Sequence, residues 1–379
     1  MADTLGIGII GCGNISTSYL RLAPLFKGLE VRGVADLNAD AAAARAAEFG
    51  TASMTIDELL GHSEIDMIIN LTIPDAHFSV SRSILQAGKH AYSEKPLVLT
   101  LAEGEELRTL SAAKNLRVGC APDTFLGGSH QMARKLIDDG AIGKVTSGSA
   151  HVMNHGMEAW HPNPDFFFLP GGGPMLDLGP YYVANLINLI GPVKRVAALT
   201  SSESSTRTIQ TEGPRQGEKV PVKTPTNIHA LLEFHNGATV PVSTSWDVWA
   251  HRHKNMEIYG TEGSIFVPDP NFFGGEVSLA GTDGEIKPVD LWDHPFGVPN
   301  QDHPKHGALA NYRTAGLADM AQAIIEDRDH RCSLDRTLHG VDVMTSVLKS
   351  GETGQFVDLS TTCTQPAPLG IEEAQALLK

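Results

Sequence analysis

The sequence predicts an α/β protein of two domains, a doubly wound parallel sheet over residues 1–124 followed by an α+β domain over residues 125–379. Two observations carry this. Short apolar runs alternate with helical segments in the first third of the chain, and that alternation builds a parallel sheet with helices on both faces. Beyond it, longer runs of mixed polarity are separated by hairpin signals, which indicates a largely antiparallel sheet. At 379 residues the chain is long enough to bury two cores.

Taken in order, LGIGIIG (5–11), LEVRGVAD (29–36), IDMIINLT (65–72), HAYSE (90–94) and LRVGCAP (116–122) read as buried strands. Between them, residues 38–50, 75–88 and 100–115 read as helices. Thr55 with Glu58 and Thr100 with Glu103 have capping-box spacing, and Gly50 and Gly88 stand where helices stop. After a further helix over 129–143, the runs 145–155, 227–246 and 253–268 read as strands, with HNG and GTEG as their turns. The polar stretch 201–226 is expected to be a loop excursion, because strand signals resume on both sides of it. Residues 313–329 and 334–351 read as amphipathic helices.

The formal net charge is -15, with Lys and Arg scattered, so neither a nucleic acid nor an anionic membrane is an expected partner. Four well-separated cysteines without a CxxC pair suggest no disulfide framework or zinc site, and fit a reduced, cytoplasmic setting. The opening MADTLGIGII carries an acid where a secretory signal needs basic residues, and no apolar run is long enough to span a bilayer. Sixteen histidines raise the question of a metal. The closest pairs, His251 with His253 and His303 with His306, lack a carboxylate or cysteine set at ligand spacing, so they read as solvated loop residues and no metal is expected.

The segment GIGIIGCGNIS sets Gly11, Gly13 and Ser16 at the spacing of a dinucleotide fingerprint, after a strand and opening a helix. Gly11 permits the tight turn, Gly13 lets a pyrophosphate approach the backbone, and Ser16 is small enough to keep helix and strand close. Cys12, Asn14 and Ile15 complete that turn as cofactor-binding candidates. Asp36, at the end of the second strand, is placed to accept hydrogen bonds from ribose hydroxyls and to repel a 2′-phosphate. NAD is therefore the expected cofactor, in preference to NADP.

Other candidates lie at strand ends, on the edge where open α/β sheets bind ligands. In LTIPDAHF these are Thr72, Pro74 and His77, the histidine reading first as a hydrogen-bonding residue of a helix start. In YSEKP they are Glu94 and Lys95. A lysine in a dry cleft beside a cofactor can have its pKa depressed by desolvation, which suits proton transfer. In CAPDTF, Asp123 and Thr124 either contact substrate or cap the following helix. The loop AWHPNPDFFF, with Trp160, is either core packing or an apolar wall for a small ligand such as a sugar face.

In this order, GCGNIS, Glu94-Lys95-Pro96, GGGPMLDLGPYY and the closing GLADMAQAI resemble the Gfo/Idh/MocA oxidoreductases over nearly the whole chain. The resemblance implies an N-terminal Rossmann domain, a C-terminal open and mostly antiparallel sheet that builds homodimers or homotetramers, and a Lys-Pro motif lining the nicotinamide. It also implies a cleft aspartate, matched by Asp177, and a histidine four residues later, where this chain has Tyr181; an acid common three residues beyond that is Ala184 here. The glycines of this segment read as flexible backbone leading into a helix that Pro180 helps to begin. Residues four apart on a helix share a face, so Asp177 and Tyr181 are expected to address one substrate.

The expectation is an NAD-dependent oxidoreductase of a sugar, polyol or cyclitol, with Lys95 as principal acid/base, Tyr181 bonding the same oxygen and Asp177 orienting a neighbouring hydroxyl. Substrate contacts are assigned to Lys95, Asp123, Thr124, Trp160, Asp177 and Tyr181. A hydrolase or lyase that oxidises its substrate transiently with bound NAD is the alternative, and a silent cofactor-sensing protein is a third reading.

Overall fold

The computed structural model describes residues 4–290, 292–303 and 307–379. His306, half of one histidine pair considered above, lies outside the described residues. The chain forms two compact units. One comprises residues up to Gly128 together with Asp293–Leu338 and Pro366–Lys379; the other comprises Ser129–Trp292 and His339–Gln365.

The first unit is a six-stranded parallel sheet, β1 (Leu5–Ile10), β2 (Leu29–Ala35), β3 (Ala52–Ser53), β4 (Met67–Asn70), β5 (His90–Ser93) and β6 (Val118–Cys120), in the order β3-β2-β1-β4-β5-β6. Every residue of β1 and β4 is buried, as expected for central strands covered on both faces. The helices are α1 (Asn14–Leu22), α2 (Ala39–Phe49), α3 (Ile56–Gly61), α4 (Pro74–Gln86) and α5 (Leu101–Lys114). Both capping boxes form, at Thr55–Glu58 and Thr100–Glu103, and Gly50 ends α2 at φ +66°. The two-residue β3 is a strand that the apolar runs do not announce, because both of its residues are exposed.

Two segments from late in the chain join this unit. The Cys120 amide donates to Cys332 O at 3.1 Å, and Gly119 bridges Ser333, so the late segment covers the outer edge of β6. Leu338 packs into the space beside Gly104, where a Cβ would lie 2.3 Å from its Cδ2.

The second unit is built on α6 (Gly128–Asp138), β7 (Val145–Met153), α7 (Pro174–Asp177), α8 (Gly179–Ile190), β8 (Val193–Ser201), β9 (Thr206–Thr208), β10 (Lys219–Pro221), β11 (Asn227–Phe234), β12 (Thr239–Ser245), β13 (Met256–Gly260), β14 (Ser264–Val267), β15 (Ser278–Ala280), β16 (Lys287–Pro288) and, after the strand pair β17 (Gln301–His303) and β18 (Gly307–Leu309) and the helices α9 (Ala315–Glu326) and α10 (Leu334–Thr353), β19 (Val357–Asp358). A last helix, α11, spans Ile371–Leu377. The main sheet has the order β16-β15-β14-β13-β7-β12-β11-β8-β19, antiparallel throughout except for the β12–β7 pair. Both turn signals are hairpins: HNG joins β11 to β12, with Gly237 at φ +89°, and GTEG joins β13 to β14. On β11, Ile228, Ala230, Leu232 and Phe234 are buried in the same core as α8 residues such as Leu186 and Ile187.

The excursion between β8 and β11 departs from the expected loop. It carries β9 and β10, paired as an antiparallel two-stranded sheet. Among the described residues, no helix is long and apolar enough to cross a membrane.

Candidate active site

In the first unit the candidate residues gather at the carboxyl ends of the strands. Gly11 ends β1 with φ +105°, and a Cβ there would meet the carbonyl carbon and oxygen of Leu71 at 2.6 Å, so only glycine fits. Gly13 has open space where a side chain would stand and precedes α1, whose first turn has no side-chain cap. Open amides at the start of a nine-residue helix suit an anion. Ser16 is fully buried and its Oγ donates to Gly13 O at 2.6 Å, which closes the turn from inside.

Asp36 is tied to that turn. Its Oδ2 accepts from the Cys12 amide at 2.7 Å and its Oδ1 from the Asn38 amide at 2.8 Å. Each carboxylate oxygen keeps further acceptor capacity. The Cys12 thiol is pushed up to about 11, first by burial and then by the Asp36 charge, so this cysteine serves through its backbone.

After β4, Asn70 is fully buried and donates to His77 O at 2.9 Å and Ser81 Oγ at 3.0 Å, while its Oδ1 accepts from the Thr72 hydroxyl at 2.6 Å. His77 is buried as well, with Nδ1 2.5 Å from Pro96 O and Nε2 2.9 Å from Thr72 O. The His77 ring, read first as a hydrogen-bonding residue of a helix start, braces the loop after β4 against the Lys95-Pro96 turn. Pro74 is in the first turn of α4.

Glu94 and Lys95 follow β5 directly. Tyr19, buried on α1, donates its hydroxyl to Glu94 Oε1 at 2.9 Å, and the Lys95 amide donates to Glu94 Oε2 at 3.0 Å. Glu94 therefore fixes the backbone that carries Lys95. The Lys95–Pro96 peptide is cis. Burial first and the Glu94 charge second raise the Tyr19 phenol, which keeps it protonated as the donor in this contact.

Asp123 and Thr124 are both buried. Asp123 Oδ2 accepts from the Thr314 and Gly316 amides, each at 3.0 Å, and so serves the start of α9 and not the helix that follows it in sequence. Burial raises the Asp123 carboxyl above its usual value, with those two amides opposing the shift.

In the second unit the glycine run is tightly packed, which corrects its reading as flexible backbone. A Cβ at Gly172 would lie 2.5 Å from Phe167 O and 2.6 Å from Phe166 O, and Gly171 and Gly173 have φ of +90° and +88°. Asp177 ends α7, Leu178 interrupts the helix, and Tyr181 lies in the first turn of α8, where Pro180 stands as expected. The two candidates thus belong to consecutive short helices and not to one continuous helical face. Proline at position 180 has no amide to continue the ladder. Tyr181 packs partly on the core of this unit.

The aromatic loop is core packing in part. Phe168 is buried against Trp246, with ring centroids 5.5 Å apart, while Trp160 and Phe166 stay 56% and 51% exposed. His251 and His253 lie exposed in a loop, and among the described residues no cluster of three or more His, Cys, Asp or Glu is placed to hold a metal. Tyr19, Asn70 and the Thr314 and Gly316 amides are site residues that sequence reasoning did not single out. A polar Asn70 within IDMIINLT was the available signal; the others depend on tertiary contact.

Two family models match the chain: an oxidoreductase family with an NAD-binding Rossmann fold over residues 5–121, and the GFO/IDH/MocA C-terminal domain over residues 130–266. The chain belongs to the Gfo/Idh/MocA oxidoreductase family. Levoglucosan dehydrogenase of Pseudarthrobacter phenanthrenivorans is 27% identical over 291 residues, 69% of this chain and 73% of that relative. The 1,5-anhydro-D-fructose reductase of Ensifer adhaerens is 22% identical over 372 residues, 93% of this chain and 98% of the relative. A solved levoglucosan dehydrogenase, in complex with NADH and L-sorbose, shares the fold with a TM-score of 0.79 at 23% identity, covering 94% of this chain and 99% of that one. The protein is an oxidoreductase with a Rossmann fold of the NAD-binding type.

Proposed function

We propose that the protein is an NAD-dependent dehydrogenase or reductase of a sugar, polyol or cyclitol, interconverting a CH–OH group and a carbonyl. The observation that carries this reading is the pairing of the Gly11 turn and its bound Asp36 carboxylate with a lysine whose backbone is held by Glu94 and Tyr19. The open start of α1 fits a pyrophosphate, and Asp36 fits an unphosphorylated ribose, which favours NAD over NADP. Relatives named for levoglucosan, 1,5-anhydro-D-fructose and D-xylose support a carbohydrate substrate.

When bound, the nicotinamide ring supplies hydride acceptance and donation at its C4. The substrate hydroxyl must then lose its proton as the carbonyl forms, and some side chain within hydrogen-bond reach must take it. Lys95 is assigned that proton, because the Glu94 contact fixes the position of its backbone at the carboxyl edge of the sheet. Tyr181 bonds the same oxygen or relays its proton, and Asp177 accepts a hydrogen bond from a neighbouring hydroxyl. Trp160, exposed on its loop, offers an apolar face to a sugar ring.

The test is turnover of levoglucosan, D-xylose, myo-inositol and 1,5-anhydro-D-fructose, followed by nicotinamide absorbance. In Lys95→Met we expect turnover to fall by about 100-fold or more with NAD binding retained, and in Tyr181→Phe to fall less. Loss of turnover in Tyr181→Phe with most of it kept in Lys95→Met reverses the two roles. Sugar product without net change in nicotinamide would favour the hydrolase or lyase reading.

A further inference from the structure

The excursion between β8 and β11 is stitched to the segment that ends in Asp177. At its root Arg207 donates to Glu158 Oε1 at 3.2 Å and pairs with Asp247. The Gln210 amide donates to Glu158 O at 2.9 Å and the Lys223 amide to Phe168 O at 2.8 Å. At its tip Arg215 holds Asp165 in a two-pronged contact, Nη1 to Oδ2 at 2.6 Å and Nη2 to Oδ1 at 3.0 Å. The same guanidinium reaches Asn163 Oδ1 at 3.2 Å and Glu218 Oε2 at 2.8 Å.

Asp165 opens the short 3-10 turn Asp165–Phe168. Phe167 O, inside that turn, accepts from the Gly173 amide at 2.7 Å, and Gly173 O accepts from the Asp177 amide at 3.0 Å. Gly172, between them, is too close to the Phe166 and Phe167 carbonyls for any side chain. A short series of contacts thus leads from the Arg215 fork to the backbone of Asp177.

We propose that Arg215 is a positioning residue for Asp177, acting through Asp165 and the Gly171–Gly173 run. The inference rests on the reading of Asp177 as a substrate-orienting group. An exposed ion pair adds little to stability, so the effect of this fork is expected on position and not on folding free energy. Its planar geometry fixes direction as well as charge, and a small misplacement of a substrate-holding group carries a large kinetic penalty.

Amide hydrogen exchange on the full chain reads the effect without a substrate. In Arg215→Ala and in Asp165→Ala we expect exchange over residues 173–181 to rise about tenfold, with no larger rise in the double variant and a melting temperature within about 2 °C of the parent. Arg215→Lys, which keeps charge without the fork, should not restore protection. Unchanged exchange over 173–181 in both single variants overturns the proposal, as does full additivity in the double. With D-xylose or levoglucosan as probe, sugar KM should rise about tenfold in Arg215→Ala while the KM for NAD stays fixed. Asp177→Asn separates the two levels: unchanged turnover in that variant refutes the reading of Asp177, whereas the exchange result alone decides whether Arg215 holds it in place.

Discussion

Asp36 does two things with one carboxylate. It fixes the Cys12 amide of the glycine turn, and it presents further acceptor capacity at the end of β2. Hydrogen bonds to a charged group contribute about 1.5–3 kcal/mol, so Asp36→Ala should weaken NAD binding by roughly 10- to 100-fold and NADP binding by less. Calorimetry of both dinucleotides checks this, and tighter binding of NADP than NAD to the unaltered protein would sink the assignment. The place of Asp36 beside the glycine turn was legible because spacing along a strand–turn–helix unit is local. That of Asp123 was not: its partners, the Thr314 and Gly316 amides, come from nearly 200 residues later, with separations of 191 and 193. No local pattern encodes such a contact. Asn70 lies between these cases, since a polar side chain in an apolar strand signals a buried hydrogen-bonding brace without saying what it holds.

The starts of α3 and α5 were readable because a capping box is a four-residue signal, and both Thr–Glu boxes form. The break at Leu178 was hidden, because MLDLGPYY has the composition of one helix and the interruption follows from a proline two residues further on. The β9–β10 pair was hidden for a different reason. Its residues are mostly polar and exposed, and what organises it is Arg207, 5% exposed, between Glu158 and Asp247. Removing one member of a buried ion network leaves the others desolvated and unpaired. Arg207→Met should therefore cost about 3–5 kcal/mol of unfolding free energy, measured by denaturant titration. A loss below about 1 kcal/mol would mean that the network is solvated in practice. Arg215, in an exposed pair, should by contrast affect position more than stability.

Four histidines, His130 and His339 in one unit and His294 and His330 in the other, act as neutral hydrogen-bonding groups held away from water. His130 Nδ1 accepts from Asn185 at 3.1 Å while Nε2 donates to Phe272 O at 2.8 Å; His294 Nδ1 accepts from the Phe296 amide at 3.2 Å while Nε2 donates to Leu369 O at 3.0 Å. In His339 it is Nε2 that accepts, from the Val193 amide at 2.9 Å. A second proton on any of these rings would face a donor. Burial accordingly pushes His130, His294, His339 and also His330 down to about 4 from an ordinary 6.5. Their folded values are depressed, so as pH falls from 6.5 towards 4 the unfolded chain takes up protons that the native protein refuses, and stability drops. Each histidine contributes up to about 1.4 kcal/mol per pH unit in that window. Asp123, raised by burial, works in the opposite sense. The lowered carboxylates, such as Glu233 and Asp165, titrate from ordinary values of 4.5 and 3.8 and therefore act only at the acid end. The melting temperature is thus expected to fall steeply between about pH 6.5 and 5, and His339→Gln should show a shallower fall than the parent because one titrating ring is gone. A melting temperature that stays flat to pH 5 and drops only below it would assign acid unfolding to the carboxylates instead.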